Sequence, residues 1–349
     1  MSESKNYYLQ LDGLRFFAAL FVAVSHWLNF TGSGVFGRFG VDLFFTISGF
    51  LITTVLLKLK KEIEAKRITL VQGFKIFYMR RSLRIFPLYY LLILILVLFH
   101  YSHIKNSIWW NLTFLSNFYN LKVNNWTGHT DSLWSLAVEE QFYLLWAVII
   151  LLIPYRLLIS TTLLFIISAP ILRGLFYFQG MNYFYTYLFT PACFDTLGLG
   201  SLLALLRFGD FKFYRKWINN RIFKLFSFIF LLFTGFYMVF VWHSFSHFVL
   251  MRLSFGIFSF IIVDRCLEGF KGFIGKILSH KWITYCGSIS YGLYLFHNLI
   301  NGIFLGMKYP ENQFLRFPIY LLSVIGIASL TYYWIEKPIN DLKYRYFKI

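Results

Sequence analysis

The sequence predicts an all-α, polytopic integral membrane protein, a helical bundle of about ten transmembrane helices with both termini in the cytoplasm. Of its 349 residues, 58% are hydrophobic and only 14% are charged. A soluble chain of this size could not bury so much apolar surface, because most of its residues would still touch water. The apolar residues also fall into long runs, and a bilayer core needs about 20 apolar residues per helix.

Ten apolar runs of suitable length account for the spans. They lie near 14–31, 40–57, 85–101, 134–154, 158–178, 189–206, 222–242, 249–263, 282–300 and 317–335. The eighth run is short and contains Arg252, and an ionisable residue inside a span costs roughly 2.5–3.5 kcal/mol on insertion scales. We therefore expect the eighth span to be the least secure.

Two connecting segments have a composition that predicts their position at the membrane surface. Residues 68–84 mix basic and aromatic side chains, which predicts an amphipathic helix on the inner membrane face. The longest outside segment, 102–133, contains Trp109, Trp110 and Trp126. Because aromatic rings suit the headgroup layer, we expect this segment to fold back at the outer interface.

The basic residues predict the orientation. With the N-terminus in the cytoplasm, 25 of the 33 lysines and arginines fall in inside segments, five fall outside and three lie within spans. Cytoplasmic loops of membrane proteins carry such an excess, which favours an even number of spans with both ends inside. The same distribution explains the net charge of +18 without a nucleic-acid partner.

The cysteines and the first apolar run argue against a disulfide-stabilised protein, a zinc site and a cleavable signal peptide. Cys193, Cys266 and Cys286 are too few and too scattered for a disulfide framework, and no Cys/His spacing resembles a zinc site, so no metal is expected. The first apolar run begins near Leu14 and lacks a small-residue cleavage site. We therefore expect no cleavable signal peptide.

The first span contains two ionisable residues, Arg15 and His26. Eleven helical residues turn the chain by about three full turns, so both side chains share one face, about 16 Å apart along the axis. Ala19 and Val22 lie between them and would form a small-sided stripe. The alternative is an arginine that snorkels at the span boundary and an interfacial histidine.

Two spans combine a carboxylate with small residues. The second span has Asp42 near its outer end and Ser48 beside Gly49, and the sixth span has Asp195 close to Gly198 and Gly200. Intramembrane carboxylates are candidates for a functional site. The small residues are explained equally well by close helix contact.

The fourth span begins with two adjacent carboxylates, Glu139 and Glu140. Ser135, Glu139 and Tyr143 are spaced four residues apart and share one helix face. A functional role suits Glu139. A solvated position at the outer interface suits Glu140 better.

Two further groups of polar residues have both a functional and a structural explanation. Arg81 and Arg84 lie three apart before the third span and could clamp a phosphate, or could simply be a positive-inside anchor. In the ninth span, Ser290, Tyr294 and His297 fall on one face, beside Tyr291 in the sequence. They could line a substrate groove or form a buried polar seam.

Together these segments resemble the acyltransferase family 3 membrane proteins. Each motif is weak alone, but six occur in the family's order and extend over almost the whole chain. They are Leu11-Asp12-Gly13-Leu14-Arg15 with His26; Gly40-Val41-Asp42-Leu43-Phe44-Phe45 through Ser48-Gly49-Phe50; Arg81-x-x-Arg84-Ile85-x-Pro87; Trp134-Ser135-Leu136 through Glu139-x-Gln141-Phe142-Tyr143; Ser290-Tyr291 through Tyr294-x-x-His297; and Tyr333-Trp334-Ile335-Glu336-Lys337-Pro338.

The resemblance implies an O-acyltransferase, with residues 1–349 as one transmembrane acyltransferase domain and no separate soluble domain. It implies that His26 is the general base, that Glu139 is a second catalytic group, and that Arg15, Arg81 and Arg84 bind the acyl donor. The other candidate site residues are Asp12, Asp42, Ser48, Tyr143, Asp195, Tyr291, Tyr294 and His297.

The substrates that the resemblance implies are acetyl-CoA, as a cytoplasmic co-substrate rather than a tightly bound cofactor, and a glycan or lipid-linked sugar at the outer face. The acceptor stays open between lipopolysaccharide, peptidoglycan, exopolysaccharide and a secreted small molecule. We expect the protein to lie among the lipids of a bacterial inner membrane. A long, thin pantetheine arm could run outward along the stripe between Arg15 and His26.

Two other functions fit the same residues. A transporter or flippase for an acyl group or a lipid-linked saccharide would also place charges inside the membrane, but it would consume no thioester. A structural partner in an envelope polysaccharide complex would tolerate replacement of His26 and Glu139.

Overall fold

The computed structural model describes residues 8–28, 34–101, 104–209, 216, 218–241, 244–306 and 313–346. None of these residues lies in a β-strand, which confirms the all-α class for the described part of the chain. Numbered along the chain, the helices are α1 (Leu9–Leu28), α2 (Val35–Glu64), α3 (Leu70–Leu98), α4 (Ile104–Leu112), α5 (Ser116–Val123), α6 (Leu133–Leu152), α7 (Tyr155–Phe178), α8 (Tyr183–Leu188), α9 (Phe194–Phe208), α10 (Arg221–Phe240), α11 (Met251–Glu268), α12 (Gly272–Leu278), α13 (Lys281–Ser288), α14 (Ser290–Gly306), α15 (Gln313–Thr331) and α16 (Lys337–Tyr346).

Eight helical segments of the described chain are long and apolar enough to cross a membrane, as expected of an integral membrane protein. They are Val35–Glu64, Leu70–Leu98, Gly128–Leu152, Tyr155–Phe178, Thr190–Phe208, Arg221–Phe240, Ser246–Glu268 and Leu315–Leu342. The first predicted span corresponds to α1 and the ninth to α13 with α14, and these two are not among the eight. The total of ten stays a prediction, and so does the side of each terminus, since residues 1–7 and 347–349 lie outside the described ranges.

The predicted amphipathic segment 68–84 is not a helix of its own. It continues without a break into the third span as α3, with Pro87 inside the helix. The helix begins at a capping box, in which the Thr69 hydroxyl accepts from the Gln72 amide and the Gln72 side chain accepts from the Thr69 amide. Arg81 and Arg84 are therefore held on a continuous helix rather than at a junction.

The eighth span, expected to be the least secure, belongs to the segment Ser246–Glu268 and is among the eight long apolar segments. It begins with one π-helical turn, Ser246–Leu250. Arg252 is buried in it and pairs with Asp42 of α2, with its Nε atom 3.1 Å from the carboxylate Oδ1. The opposite charge on a neighbouring helix is what makes the intramembrane arginine acceptable there.

The segment 102–133, which we expect to lie outside, contains the short helices α4 and α5 in its described part, residues 104–133, and this part packs back onto the bundle. The Tyr89 hydroxyl of α3 donates to the carbonyl of Asn111 at 2.8 Å, and the Gln141 amide of α6 donates to the carbonyl of Phe114 at 2.8 Å. These bonds attach the segment to two of the long helices. Its depth at the outer interface stays a prediction.

Helix α2 lies at the centre of the bundle because glycines let its neighbours approach closely. A β-carbon at Gly49 would overlap the carbonyl of Leu197 in α9, and one at Gly200 of α9 would overlap the carbonyl of Thr46. The close-contact explanation of the glycines beside Ser48 and Asp195 is therefore confirmed. This contact fixes the face of α2 that carries Ser48.

Candidate active site

A cleft opens among α2, α3, α6 and α14, with an empty volume of about 740 Å³ that includes the open solvent space at its mouth. Eight of the thirteen candidate residues line it, contributed by α1 and by the four helices named. They are Arg15, Ser48, Arg81, Arg84, Glu139, Tyr143, Tyr291 and Tyr294. Residues far apart in the sequence are thus brought to one site.

The cleft has two chemically different ends. At one end, the guanidinium of Arg81 lies over the ring of Tyr143, 5.7 Å from its centroid. At the other end, the hydroxyl groups of Tyr294 and Ser135 form a hydrogen bond. Ser135 and Tyr143 are eight residues apart on α6, which is about 12 Å along the axis. We call the first the arginine end (Arg15, Arg81 and Arg84) and the second the tyrosine end (Ser135 and Tyr294).

The three arginines differ in their partners. Arg84 forms an ion pair with Glu336, with an N–O distance of 2.9 Å, and Arg15 lies 3.6 Å from the carboxylate of Asp12. Arg81 has no carboxylate of a described residue within 4 Å. Glu336 is a site neighbour that the sequence analysis did not select, although the motif Tyr333 to Pro338 contains it.

Glu139 occupies the middle of the cleft. Its carboxylate lies beside the side chains of Ser48 and Tyr143, which line the same cleft. The predicted face of Ser135, Glu139 and Tyr143 is therefore confirmed, since all three line the cleft. Glu140 was expected to be solvated, but it is only half-buried and its Oε1 atom is fully buried, because the residue lies two turns inside α6.

The tyrosine end is closed by hydrogen bonds. The hydroxyl oxygens of Tyr294 and Ser135 are 2.6 Å apart, and the Tyr294 hydroxyl also donates to the carbonyl of Ser132 at 3.1 Å. The Tyr294 ring lies 5.4 Å from that of His297, measured between centroids. The ring of Tyr294 therefore separates the cleft from the histidine behind it.

His26 and His297 form a pair next to the tyrosine end. His26 Nδ1 lies 2.8 Å from His297 Nε2, and the two rings are parallel within 5° with centroids 5.0 Å apart. His297 is buried, whereas His26 is exposed. Neither histidine lines the cleft itself.

The expected stripe between Arg15 and His26 is not an open path. Ala19 and Val22, which lie between them on α1, are both buried in the packing of the bundle. Arg15 lines the cleft but His26 does not, so the cleft runs from the arginine end along α2, α6 and α14 and ends at Tyr294, in front of the histidine pair. The face was predicted correctly, but neighbouring helices cover its middle.

Asp42 and Asp195 lie outside the cleft, each in a buried ion pair. Asp42 pairs with Arg252, and Asp195 Oδ2 lies 2.6 Å from Nη2 of Arg173. Arg173 also donates to the carbonyl of Val249. These pairs join α2, α7, α9 and the segment that includes α11, which is a structural position for both carboxylates.

The chain is similar to known acyltransferases in sequence. The family model described as an acyltransferase domain matches residues 8–333. Three relatives are each 28% identical to the chain: YrhL of Bacillus subtilis, the peptidoglycan O-acetyltransferase OatA of Listeria monocytogenes, and the O-acetyltransferase OatA of Staphylococcus aureus. The alignments cover 97–99% of this chain but only 55–59% of those proteins, so it spans little more than half their length. No solved structure matches significantly.

Proposed function

Because the chain belongs to the acyltransferase family whose domain model it matches, we propose that it is a membrane O-acetyltransferase that acts on a hydroxyl of peptidoglycan. Two relatives are named as O-acetyltransferases, which suggests acetyl as the transferred group, and one of them is named for peptidoglycan, which suggests the acceptor. The observation that carries the proposal is the cleft, which connects three arginines to a tyrosine end beside an exposed histidine. A transporter without chemistry is not favoured, since the family consists of acyltransferases.

The proposed donor is acetyl-CoA, a thioester whose several phosphates suit the arginine end. Guanidinium groups bind phosphate oxygens through paired, charge-assisted hydrogen bonds. Arg81, which has no carboxylate partner within 4 Å among the described residues, would be the strongest of the three phosphate ligands. The thin pantetheine arm would then lie along the cleft, past Glu139, and bring the thioester to the tyrosine end.

The transfer itself needs one base, which we assign to His26. The acceptor hydroxyl would approach from the exposed side of His26 and give its proton to the imidazole as its oxygen bonds to the thioester carbonyl carbon. The carbon–sulfur bond then breaks, and the departing thiolate takes the proton from the imidazolium. The products are the O-acetyl ester and free CoA thiol, with His26 restored.

The predicted orientation in the membrane suits a donor site at the arginine end and a base nearer the outer side. The positive-inside distribution predicts that Arg81 and Arg84 lie at the cytoplasmic side, where acetyl-CoA is made. His26, about 16 Å along α1 from Arg15, would then lie nearer the outer side. The acetyl group would reach the acceptor through the cleft once the Tyr294 side chain, which closes the far end, moves aside, and neither substrate would cross the membrane.

The proposal is tested with purified protein in detergent, acetyl-CoA and soluble peptidoglycan fragments. His26→Ala and His26→Gln should abolish the transfer, since neither side chain can take the proton, while both fold as the native protein does. His280→Gln is the matched control, because His280 is exposed and outside the cleft. Near-native transfer by both His26 variants would exclude His26 as the base, and thioester that is never consumed by the native protein would favour a transporter.

A further inference from the structure

The histidine pair contains one nitrogen whose hydrogen the structure determines. His297 Nδ1 lies 2.5 Å from the backbone carbonyl oxygen of Tyr294. A carbonyl oxygen can only accept a hydrogen bond, so Nδ1 of His297 must carry the hydrogen. In the neutral ring, Nε2 of His297 then holds the lone pair.

This lone pair sets the direction of the bond between the two rings. His297 Nε2 lies 2.8 Å from Nδ1 of His26. Because Nε2 of His297 accepts, Nδ1 of His26 must donate. The free lone pair of His26 is therefore on Nε2. The backbone of α14, through His297, selects one of the two tautomers that a neutral imidazole can adopt.

We propose that His297 is a positioning residue that holds His26 in the tautomer whose Nε2 accepts the proton of the acceptor hydroxyl. This inference rests on the proposed function, in which His26 is the base. As His26 gains a proton at Nε2, its Nδ1–H becomes part of a cation and its bond to His297 becomes charge-assisted and stronger. When the thiolate takes that proton back, the pair returns to its starting state.

The exposure of the two histidine rings fits a buried positioning residue, His297, and an accessible base, His26. His297 is 1% exposed and fixed on both sides, by Tyr294 and by His26, whereas His26 is exposed and can meet an acceptor. His26 is also held from its own backbone, because the Asn301 amide of α14 donates to its carbonyl at 3.3 Å. Helix α14 thus fixes both the place and the tautomer of the base.

A purely structural role for His297 makes a different prediction. If the ring only fills a polar seam between α1 and α14, what matters is its volume and its burial. If it selects the tautomer, what matters is an acceptor atom at the position of Nε2. Replacement by Gln places an amide oxygen within reach of that position, whereas Leu has similar size and no acceptor.

The first test therefore compares His297→Gln with His297→Leu in the purified protein. We expect Leu to lower kcat by about 10- to 10²-fold, part of the 10²–10⁴-fold that a general base contributes, and Gln to retain clearly more activity. The KM for acetyl-CoA should stay near its native value, because His297 does not line the cleft. The control is His247→Leu, which removes an equally buried histidine elsewhere. Equal kcat values for the Gln and Leu variants would overturn the inference.

The second test measures the tautomer directly and needs no activity. Nitrogen-15 NMR of the protein labelled in its histidines distinguishes a protonated ring nitrogen from one with a lone pair, and the spectrum of His26→Gln assigns the His26 signals. We expect hydrogen on Nδ1 of His26 in the native protein. Hydrogen on Nε2 would overturn the inference even if the His297 variants fail to fold. If His26→Ala is inactive while His297→Leu has native kcat, only the positioning role fails and the proposed function stands.

Discussion

The three arginines of the cleft carry the same formal charge but differ in what already compensates it. Arg84 is held by the buried Glu336 at 2.9 Å, and Arg15 is close to Asp12 at 3.6 Å. Arg81 contacts the face of Tyr143 and is not within 4 Å of a carboxylate among the described residues. A phosphate that enters the arginine end would meet the least compensated charge at Arg81.

The first prediction is that Arg81→Gln weakens donor binding more than Arg84→Gln does. Losing a hydrogen bond to a charged group costs about 1.5–3 kcal/mol, roughly ten- to a hundredfold in affinity. Arg84 must share its guanidinium with Glu336, so its loss should cost less. The measurement is the dissociation constant of acetyl-CoA, with the exposed Lys75→Gln on the same helix as control. Equal weakening by Arg81→Gln and Lys75→Gln would mean that only the general positive field matters.

The second prediction concerns the pair of Asp42 and Arg252, which is buried outside the cleft. Removing one partner leaves an uncompensated buried charge, which costs about 3–5 kcal/mol, whereas removing both is much cheaper. Arg252→Met should therefore lower the melting temperature in detergent, and Asp42→Asn combined with Arg252→Met should restore part of it. Native stability of Asp42→Asn together with complete loss of transfer would instead place Asp42 in the catalytic machinery.

At the scale of the elements, α2 organises the site because it is in contact with helices on several sides. Its Ser48 faces Glu139 of α6, while its Gly49 faces Leu197 of α9. The close approach at Gly49 and Gly200 sets the distance between α2 and α9, and so the position of the wall that α2 gives to the cleft. The site depends on a helix contact that contains no catalytic group.

The third prediction is that Gly200→Ala destabilises the protein, since the new β-carbon would overlap the backbone carbonyl of Thr46. The melting temperature should fall, and transfer should fall with it as α2 is displaced. Gly235→Ala on α10 is the matched control, because no atom lies within 4 Å of the β-carbon that it adds. That change should be neutral or stabilise by up to about 1 kcal/mol, as Ala is the better helix former. Equal melting temperatures for the two variants would contradict the contact.

At the scale of the whole molecule, the arginine end and the exposed His26 lie at different depths of one bundle. This arrangement suits a donor and an acceptor on opposite sides of a membrane. It requires the arginine end to face the cytoplasm, an orientation that the distribution of basic residues predicts and the packing does not test.

The fourth prediction is that reporter fusions at Glu3 and after Lys348 both read cytoplasmic, whereas a reporter inserted after Lys122 reads external. Ten spans and the 25 inside basic residues lead to this expectation. An external signal from one end alone would contradict the even number of spans. An external signal from both would reverse the bundle and place the arginine end away from cytoplasmic acetyl-CoA.

The sequence by itself determined the class of the molecule and most of the chemistry of the site. Apolar composition is a property of the chain, so it predicts membrane helices without any tertiary information. Helical periodicity is local, so the shared faces of Arg15 with His26 and of Ser135 with Glu139 were predicted correctly. The motifs supplied eight of the residues that line the cleft, although their spacing does not indicate which helices meet.

Only the tertiary structure decided which of these residues act together. His26 and His297 are 271 positions apart, and the bond between their rings exists because α1 packs against α14. Neighbouring helices also cover the stripe of small residues that periodicity predicts on α1. Asp42 lies outside the cleft because it pairs with Arg252 on a neighbouring helix. Periodicity states which way a side chain points on its own helix. Only the contact between helices determines what it meets, because that depends on the shapes of both surfaces.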